Sequence, residues 1–346
     1  MGKLFGTLKD WIDVRSVTGE EADYAACLER ALVARGFAVE RQHLDVPAGA
    51  APRFNLLART GVPEVVFCTH LDTVPPFFGP SEDSDFVHGR GSCDAKGPAL
   101  AMLEAASALL AEGEERIGFL FTVGEELDSA GARVANARLA EPWKPRHTIV
   151  GEPTENVFVR AHKGAFKARL MATGVAGHSS QGLGPSAVHE LVGCIHRMLG
   201  CGWGEHAVLG PGNLNIGLIG GGVAPNVIAD RAEASLLLRA VEDPDTVRQR
   251  LEGCLGEHVH METDFVNYGP QEFHVPAGAE SIGVAFGTDA PHLDGWGTPL
   301  LCGPGRILDA HTDHERVSKA SLEQAIANYY RTARDLLAEP EPEAGA

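Results

Sequence analysis

Basic residues and long apolar runs are both scarce in this chain of 346 residues. Its 29 Lys and Arg residues stand against 47 Asp and Glu residues, which gives a formal net charge of −18. So acidic a surface repels phosphate backbones and anionic lipids, which argues against a nucleic-acid-binding or membrane-surface function. No apolar run reaches the roughly 18 residues that a membrane-spanning helix needs. The segment Met1–Val17 carries Lys and Asp residues among its apolar ones, so it has no signal-peptide core.

Cysteine pairs and internal repeats are absent as well. The seven cysteines are odd in number and form no C-x-x-C motif. We therefore interpret them as reduced thiols of a cytoplasmic protein. The length exceeds what one hydrophobic core usually supports, so two domains are expected.

Strands and helices alternate through the first half of the chain. The apolar run Val65–Thr69 predicts a buried strand, and similar runs at Ile117–Val123 and Thr148–Val150 predict two more. Apolar residues at helical spacing predict helices over Lys96–Leu110 and Ser129–Leu139. This alternation predicts an α/β fold with a mostly parallel sheet that helices cover on both faces.

Polar side chains follow the predicted strands. In an open α/β sheet, ligands bind beyond the carboxyl ends of the strands. A histidine there is well placed to bind a metal ion, and a carboxylate two residues on can hold the other imidazole nitrogen. The candidate residues at this edge are His70, Asp72, Asp94, Glu125, Glu126 and Glu152.

The pattern changes after about residue 163. The predicted elements there follow the order β-α-β-β-α-β, which is typical of a ferredoxin-like α+β module. We interpret this module as inserted into the first domain, which resumes with core strands predicted over 281–286 and 299–302. The expected ranges are 1–162 and 275–338 for the mostly parallel-sheet catalytic domain, 163–274 for an inserted lid/dimerisation domain, and 339–346 for a flexible tail.

Four of these candidates, together with a histidine farther along the chain, are suited to bind metal. These are His70, Asp94, Glu126, Glu152 and His311. Two imidazoles and three carboxylates suit zinc, with cobalt or manganese as alternatives. Five ligands are too many for one tetrahedral zinc site, but they fit two metal ions about 3.5–4 Å apart that share one carboxylate. The inserted domain accounts for the large sequence separation of His311.

Glu125 is left over, directly beside a candidate ligand. A carboxylate at this position can take a proton from an attacking water and pass it to a departing amine. In the alternative interpretation, Glu125 and Glu126 only favour the N-terminus of the next helix.

Eight short motifs resemble one family of enzymes and occur in that family's order. They are VVFCTHLDTVP at 65–75, GRGSCDAKG at 89–97, VGEE at 123–126, VGEPT at 150–154, GHSS at 177–180, GGVAPNVI at 221–228, GTD at 287–289 and GPGRILDAHT at 303–312. The chain is similar to the co-catalytic zinc aminoacylase/carboxypeptidase family, which includes acetylornithine deacetylase, succinyl-diaminopimelate desuccinylase and glutamate carboxypeptidase. The resemblance spans nearly the whole chain.

The resemblance implies a role for each candidate ligand. His70 and Glu152 are expected to bind one metal ion, Glu126 and His311 the other, and Asp94 to bridge the two.

The resemblance also implies amide hydrolysis as the reaction. On this basis Asp72 is expected to orient the metal ligand His70, and Glu125 to act as the general base. The metal ions polarise the carbonyl and lower the pKa of the attacking water toward about 7.

Four further residues resemble substrate-binding positions of the family. His178 corresponds to a histidine that reaches the partner's active site in dimeric relatives, although a glycine-flanked loop histidine is usually just solvated. Asn226 resembles a substrate-contacting asparagine, and Thr288 lies in a pocket-lining motif. Arg239 is a candidate for the substrate carboxylate, with a surface ion pair as the equal alternative.

Two departures from the family pattern affect specificity. The chain has Ala95 where relatives commonly have methionine in Asp-Met-Lys-Gly, while the ligand itself is kept. The loop around Phe77–Asp85 is shorter than in many relatives and lacks their tryptophan. Because that loop borders the acyl pocket, the preferred acyl group stays open.

These observations together predict a two-zinc hydrolase that removes a small acyl group from an N-acyl amino acid such as acetylornithine, acetyl-lysine or acetylcitrulline. A dipeptidase or carboxypeptidase of the same family is the alternative, because the same metal ions cut any amide that fits. A non-catalytic metal- or amino-acid-binding protein is a third hypothesis, against which the complete ligand set and Glu125 argue. The family also includes homodimers, and a homodimer through the lid domain is expected on that basis.

Overall fold

The computed structural model describes residues 2–263 and 266–340. The chain divides into two compact units. The first unit comprises Met1–Arg160, Phe273–Ile282 and Thr288–Ala346, and the second comprises Ala161–Glu272 and Gly283–Gly287. Of the predicted tail, residues 341–346 lie outside the described part.

The first unit contains five α-helices and a six-stranded central sheet within the described residues. The helices are Gly2–Ile12, Ala22–Val33, Lys96–Ala111, Ala130–Ala137 and Lys319–Ala338. The strands of the sheet, in spatial order, are Ala38–His43, Phe54–Arg59, Ile117–Thr122, Val65–His70, His147–Val150 and Thr298–Leu301. None of the helices in the described residues is long and apolar enough to cross a membrane.

The central sheet is mostly parallel, as the alternation of strands and helices predicts. Its first two pairings are antiparallel and its last three are parallel. The two innermost strands, Val65–His70 and Ile117–Thr122, are buried along their whole length. Strands covered on both faces are apolar throughout rather than alternating, which explains these runs.

The register of the sheet brings the polar segments to one edge. His70 is the last residue of its strand and lies opposite Thr122, the last residue of the neighbouring strand. On the other side Cys68 pairs with Val150, the last residue of a third parallel strand. Because all three strands run the same way, the segments that follow them begin at the same edge of the sheet.

Aromatic packing stabilises the centre of this sheet. The rings of Phe119 and Phe121 stack with centroids 5.3 Å apart, and Phe67 lies 5.8 Å from Phe119. The helix Lys96–Ala111 packs over the same core and buries most of its residues. Such a helix is apolar on nearly every side because the sheet and the flanking helices both cover it.

The second unit contains the predicted ferredoxin-like module. Its antiparallel sheet has the spatial order Asn213–Gly221, Arg231–Ala240, Gly164–Thr173 and Val259–Glu262. The helices Ala187–Leu199 and Pro244–Glu252 complete the β-α-β-β-α-β sequence. The last strand is predicted over 258–266; it is observed over 259–262, and residues 264–265 lie outside the described part.

Two predicted strands differ from the structure. The sequence predicts one strand over 228–240. It is divided into Val227–Ile228 and Arg231–Ala240, because the carbonyls of Ala229 and Asp230 accept hydrogen bonds from Ala187 and Gly174 instead of from a sheet partner. The run 281–286 does not form the core strand that the sequence predicts for the first domain. Only Ser281–Val284 is a strand, and it belongs to a separate sheet of three short strands and is largely exposed.

Candidate metal centre

Three of the candidate ligands converge at the carboxyl ends of the parallel strands. His70, Asp94 and Glu152 each offer one ligand atom, and these atoms all lie within 4.8 Å of one another. The Nε2 atom of His70 is 2.9 Å from Oδ1 of Asp94 and 3.9 Å from Oε2 of Glu152. All three side chains are buried.

A second group forms on the other side of Asp94. It consists of Asp94, Glu126 and His311, again with ligand atoms within 4.8 Å of one another. The Nε2 atom of His311 lies 3.2 Å from Oδ2 of Asp94 and 2.9 Å from Oε2 of Glu126. Asp94 therefore turns one carboxylate oxygen toward each group, which is the arrangement that a bridging ligand requires.

The spacing of these atoms suits zinc. With zinc–nitrogen and zinc–oxygen bonds near 2.0–2.2 Å, neighbouring ligand atoms around a tetrahedral ion are roughly 3.3 Å apart. The observed separations of 2.9–3.9 Å bracket that value. The geometry of the side chains thus fits two ions that share Asp94.

The charges of the site also favour cations. The carboxylate Glu152 is buried, and burial raises its pKa well above the usual value. Burial opposes protonation of His70, but hydrogen bonds to Asp72 and Asp94 outweigh it and raise its pKa. Hydrogen bonds to Asp94 and Glu126 raise the pKa of His311 to about 10. The carboxylates thus attract positive charge, which bound metal ions would supply in place of these protons.

Asp72 contacts more than its neighbour His70. The Nδ1 atom of His70 lies 2.9 Å from the backbone carbonyl of Asp72, while the nearest Asp72 carboxylate oxygen is 3.6 Å away. The carboxylate instead accepts hydrogen bonds from the backbone N–H groups of Gly124, Glu125 and Glu126. Asp72 therefore holds the segment that carries Glu125 and Glu126, and its carbonyl orients the imidazole.

Glu125 lies in a turn rather than at a helix N-terminus. The next helix begins at Ala130, and the backbone N–H groups of Leu127 and Asp128 donate to the carbonyl of Gly124. Burial raises the pKa of Glu125 well above its usual value, and the nearby carboxylates of Glu152 and Glu126 add to that rise. A raised pKa suits a group that accepts and releases protons near neutral pH.

The neighbouring strand supports this turn through Asn55, a residue that the sequence does not single out. Asn55 is fully buried. Its side-chain oxygen accepts from the N–H of Val123, and its side-chain nitrogen donates to the carbonyl of Gly131. A short polar residue inside a strand carries no motif, so its role becomes visible only through these contacts.

Thr288 lies in the first unit, next to a buried carboxylate. Its hydroxyl oxygen accepts from the N–H of Ala290 at 3.1 Å. The adjacent Asp289 accepts a hydrogen bond of 2.6 Å from Thr122, the last residue of a central strand. Burial raises the pKa of Asp289 to about 6. A hydrogen bond therefore connects Asp289 of the GTD motif to the strand that precedes Glu125.

The other three predicted substrate residues lie in the second unit. His178 and Asn226 are close together, since the N–H of Ser179 donates to the carbonyl of Asn226 at 3.1 Å. The exposed His178 accepts a hydrogen bond from the N–H of Ser180. Among the described residues, no carboxylate lies within 4.0 Å of the Arg239 guanidinium, so the surface ion pair considered for Arg239 is not formed.

Comparison with known proteins decides the family. The model of peptidase family M20/M25/M40 matches residues 66–335. The chain belongs to this family. The resemblance inferred from the motifs is thus confirmed, and this M20 chain is a hydrolase of the metallopeptidase class.

Three relatives illustrate the similarity. A probable carboxypeptidase of Aspergillus terreus is 34% identical over 361 residues, which cover 93% of this chain and 83% of the relative. The structure of a tripeptidase from Staphylococcus aureus has a TM-score of 0.81 at 20% identity and covers 98% of this chain and 99% of its own. A dinuclear metal-binding M20 peptidase from Bacillus subtilis has a TM-score of 0.68 at 14% identity, with 97% of each chain covered. The two structures share the fold.

Proposed function

We propose that this M20 metallopeptidase cleaves an amide bond with two zinc ions, with cobalt or manganese as alternatives. The observation that carries the proposal is Asp94, whose two carboxylate oxygens face His70 at 2.9 Å and His311 at 3.2 Å. In the proposed site His70 and Glu152 hold one ion, and Glu126 and His311 hold the other. When bound, the ions polarise the carbonyl and lower the pKa of the attacking water.

Residues of the chain itself are proposed to carry out the remaining steps. Glu125 is proposed to accept the proton of the attacking water and to deliver it to the departing amine. Asp72 keeps Glu125 in place, because its carboxylate receives the N–H of Glu125 at 3.2 Å and that of Gly124 at 2.9 Å. Backbone contacts of this kind restrict the turn to one geometry, which keeps Glu125 in the orientation that the reaction needs.

The substrate class is proposed as a short peptide with a free C-terminal carboxylate. The 34% identity to a probable carboxypeptidase supports this choice. An N-acyl amino acid, as the motifs predict, is the second candidate. Both substrates place a carboxylate beside the scissile amide, and Arg239 is proposed to bind it because its guanidinium has no carboxylate partner among the described residues.

A homodimer formed through the second unit is proposed as well. The strand Asn213–Gly221 lies at the edge of its sheet, and three apolar side chains on or beside it are exposed: Leu218 by 71%, Ile219 by 60% and Val223 by 83%. Exposed apolar edge strands tend to pair with another chain. In such a dimer His178 is proposed to reach the substrate of the partner, with Asn226 beside it.

The cytoplasmic location expected from the cysteines stays a prediction.

A substrate panel tests the reaction and separates the two substrate classes. It contains dipeptides with free and amidated C-termini, together with acetylated and succinylated amino acids. Each is assayed with added zinc, with chelator, and with the Glu125→Gln variant. Cleavage of free dipeptides that chelator abolishes supports the carboxypeptidase proposal, and turnover of acetylated amino acids alone supports the deacylase. Two bound ions without any turnover would contradict both.

A further inference from the structure

Glu315, a buried carboxylate outside the proposed ligand set, contacts the loop that carries Asp94. Its side chain is fully buried, with 0% exposed. Its Oε1 atom accepts hydrogen bonds from the backbone N–H groups of Gly91 at 2.9 Å and of Cys93 and Asp94 at 3.2 Å each. Its Oε2 atom accepts from Nη1 of Arg90 at 2.5 Å. One side chain therefore receives four N–H hydrogen bonds from a single short loop, and the Cys93 thiol adds a weaker one at 3.7 Å.

A small sheet in the first unit explains how Glu315 reaches this loop. The strand Arg316–Ser318 pairs antiparallel with Phe86–His88, so that Arg316 lies opposite His88. The backbone N–H of Gly89 donates to the carbonyl of Glu315 at 3.0 Å. Glu315 thus lies immediately before one strand, where the loop leaves the other, and only a few residues after His311 along the chain.

The ion pair between Arg90 and Glu315 is poorly explained by stability alone. Both side chains are almost completely buried, with 1% of Arg90 exposed. Removing two charges from water costs about as much free energy as their attraction contributes. A well-packed apolar pair often stabilises a fold equally well. What an apolar pair cannot do is accept the three backbone hydrogen bonds that fix the loop up to Asp94.

We propose that Glu315 is a positioning residue for the metal centre, which sets the place of Asp94 relative to His311. This inference rests on the proposed two-metal function. The Oδ2 atom of Asp94 and the Nε2 atom of His311 are 3.2 Å apart, as two ligands of one ion must be. Glu315 holds the backbone of Asp94 directly and lies on the same segment as His311. It therefore connects two ligands that are far apart in the sequence.

Metal titration of the metal-free protein tests this role independently of activity. The variants are Glu315→Met, which is similar in length but lacks the oxygen acceptors, Glu315→Asp and, as control, Leu109→Ala. Leu109 is buried near the far end of the helix that follows Asp94, so its truncation destabilises the same unit without touching the loop. Zinc or cobalt is added in a competition assay with a chelator, and the number of ions bound and their affinities are measured.

The expected result is weaker metal binding, with the larger loss at the ion that Asp94 shares with His311. Glu315→Met should weaken binding of the ion held by Asp94, Glu126 and His311 by about 10–100-fold, the usual effect of removing a residue that orients ligands. Glu315→Asp keeps the negative charge and should recover part of that loss. Leu109→Ala should lower the melting temperature but retain both affinities. Wild-type affinities in Glu315→Met, or the same metal loss in Leu109→Ala, overturn the inference.

A double variant separates positioning from simple charge compensation. Arg90→Gln combined with Glu315→Met removes both charges of the pair and the oxygen acceptors of residue 315. If Glu315 only neutralised Arg90, the double variant would regain metal affinity; if Glu315 positions Asp94, the loss persists. A wild-type chain that binds two ions without cleaving any substrate contradicts the proposed reaction but leaves this readout intact. A wild-type chain that binds fewer than two ions contradicts both proposals.

Discussion

The Oδ1 atom of Asp72 accepts a hydrogen bond from the backbone N–H of Gly124 at 2.9 Å. This contact connects two central strands, because Asp72 follows the strand that ends in His70 and Gly124 follows the strand that ends in Thr122. Through it, a residue that the sequence associates with one metal ligand also controls the position of Glu125 and Glu126.

The Asp72→Asn variant should therefore impair both stability and turnover. The side chain of asparagine has one oxygen acceptor, which cannot receive all the N–H groups of Gly124, Glu125 and Glu126. We expect the free energy of unfolding to fall by about 1–3 kcal/mol and kcat to fall at least about tenfold. Chemical denaturation and steady-state kinetics measure the two effects.

The control for this variant is Asp128→Asn in the same turn. The exposed Asp128 accepts one hydrogen bond, from the N–H of Ala130 at 3.2 Å. The control variant should lose less than about 1 kcal/mol of stability and retain its kcat. Equal kinetic losses in the two variants would contradict the role given to Asp72.

Glu125 and Glu126 are neighbours with different proposed roles, and a matched pair of Gln variants separates them. Glu125→Gln should bind both metal ions with kcat reduced by about 100-fold or more, since the general base is lost. Glu126→Gln should lose affinity for one ion, since Glu126 faces His311 at 2.9 Å. Metal content by elemental analysis, measured beside kcat, distinguishes the two. Loss of metal in Glu125→Gln would make it a ligand instead.

Chelation should lower the thermal stability of the protein. An ion that binds only the folded site stabilises the protein by about 2.7 kcal/mol at a free concentration 100 times the dissociation constant. Without them, buried carboxylates such as Glu152 and Asp94 remain close together. We expect scanning calorimetry to show a lower melting temperature in excess chelator and its recovery on adding zinc. An unchanged melting temperature would argue against a structural contribution of the ions.

His292 should make the first unit less stable in mild acid. Burial, together with the charge of Arg133, lowers its pKa to about 4, whereas an unfolded histidine titrates near 6.5. The unfolded chain therefore binds a proton that the folded chain rejects, and stability falls as the pH drops from about 6.5 toward 4.

The comparison of His292→Gln with wild type isolates this effect. Between pH 7 and pH 5, the free energy of unfolding of the wild type should fall by about 1–2 kcal/mol more than that of the variant. Urea denaturation of both proteins at several pH values provides the measurement. Parallel pH profiles would show that His292 does not carry the effect.

Mixing two inactive variants tests the proposed action of His178 across a dimer. Glu125→Ala lacks the base, and His178→Ala lacks the residue proposed to reach the partner. In a mixed dimer of two-fold symmetry one site has both groups, so we expect activity to recover to roughly a quarter of wild type at equal mixing. Light scattering and an exchange assay confirm the dimer. No recovery despite subunit exchange would assign His178 to its own chain or to no catalytic role.

The sequence by itself determined the sheet and the edge where the ligands meet. Apolar runs such as Val65–Thr69 are long and unambiguous, and the residues that follow them therefore lie at the end of the strand. This reasoning holds for His70 and Glu152, because each lies at or just after the end of a strand. It did not hold for 281–286, since a short apolar run does not reveal which sheet it joins.

Only the tertiary structure decided what supports those ligands. Glu315 and Arg90 are 225 positions apart, and a charged residue in a sequence gives no sign that it is buried until its partner is known. In the same way, the side-chain oxygens of Asp72 and Asn55 accept hydrogen bonds from backbone N–H groups of a segment distant in sequence. Local patterns predict where a strand ends, whereas long-range contacts decide which buried polar groups hold that end in place.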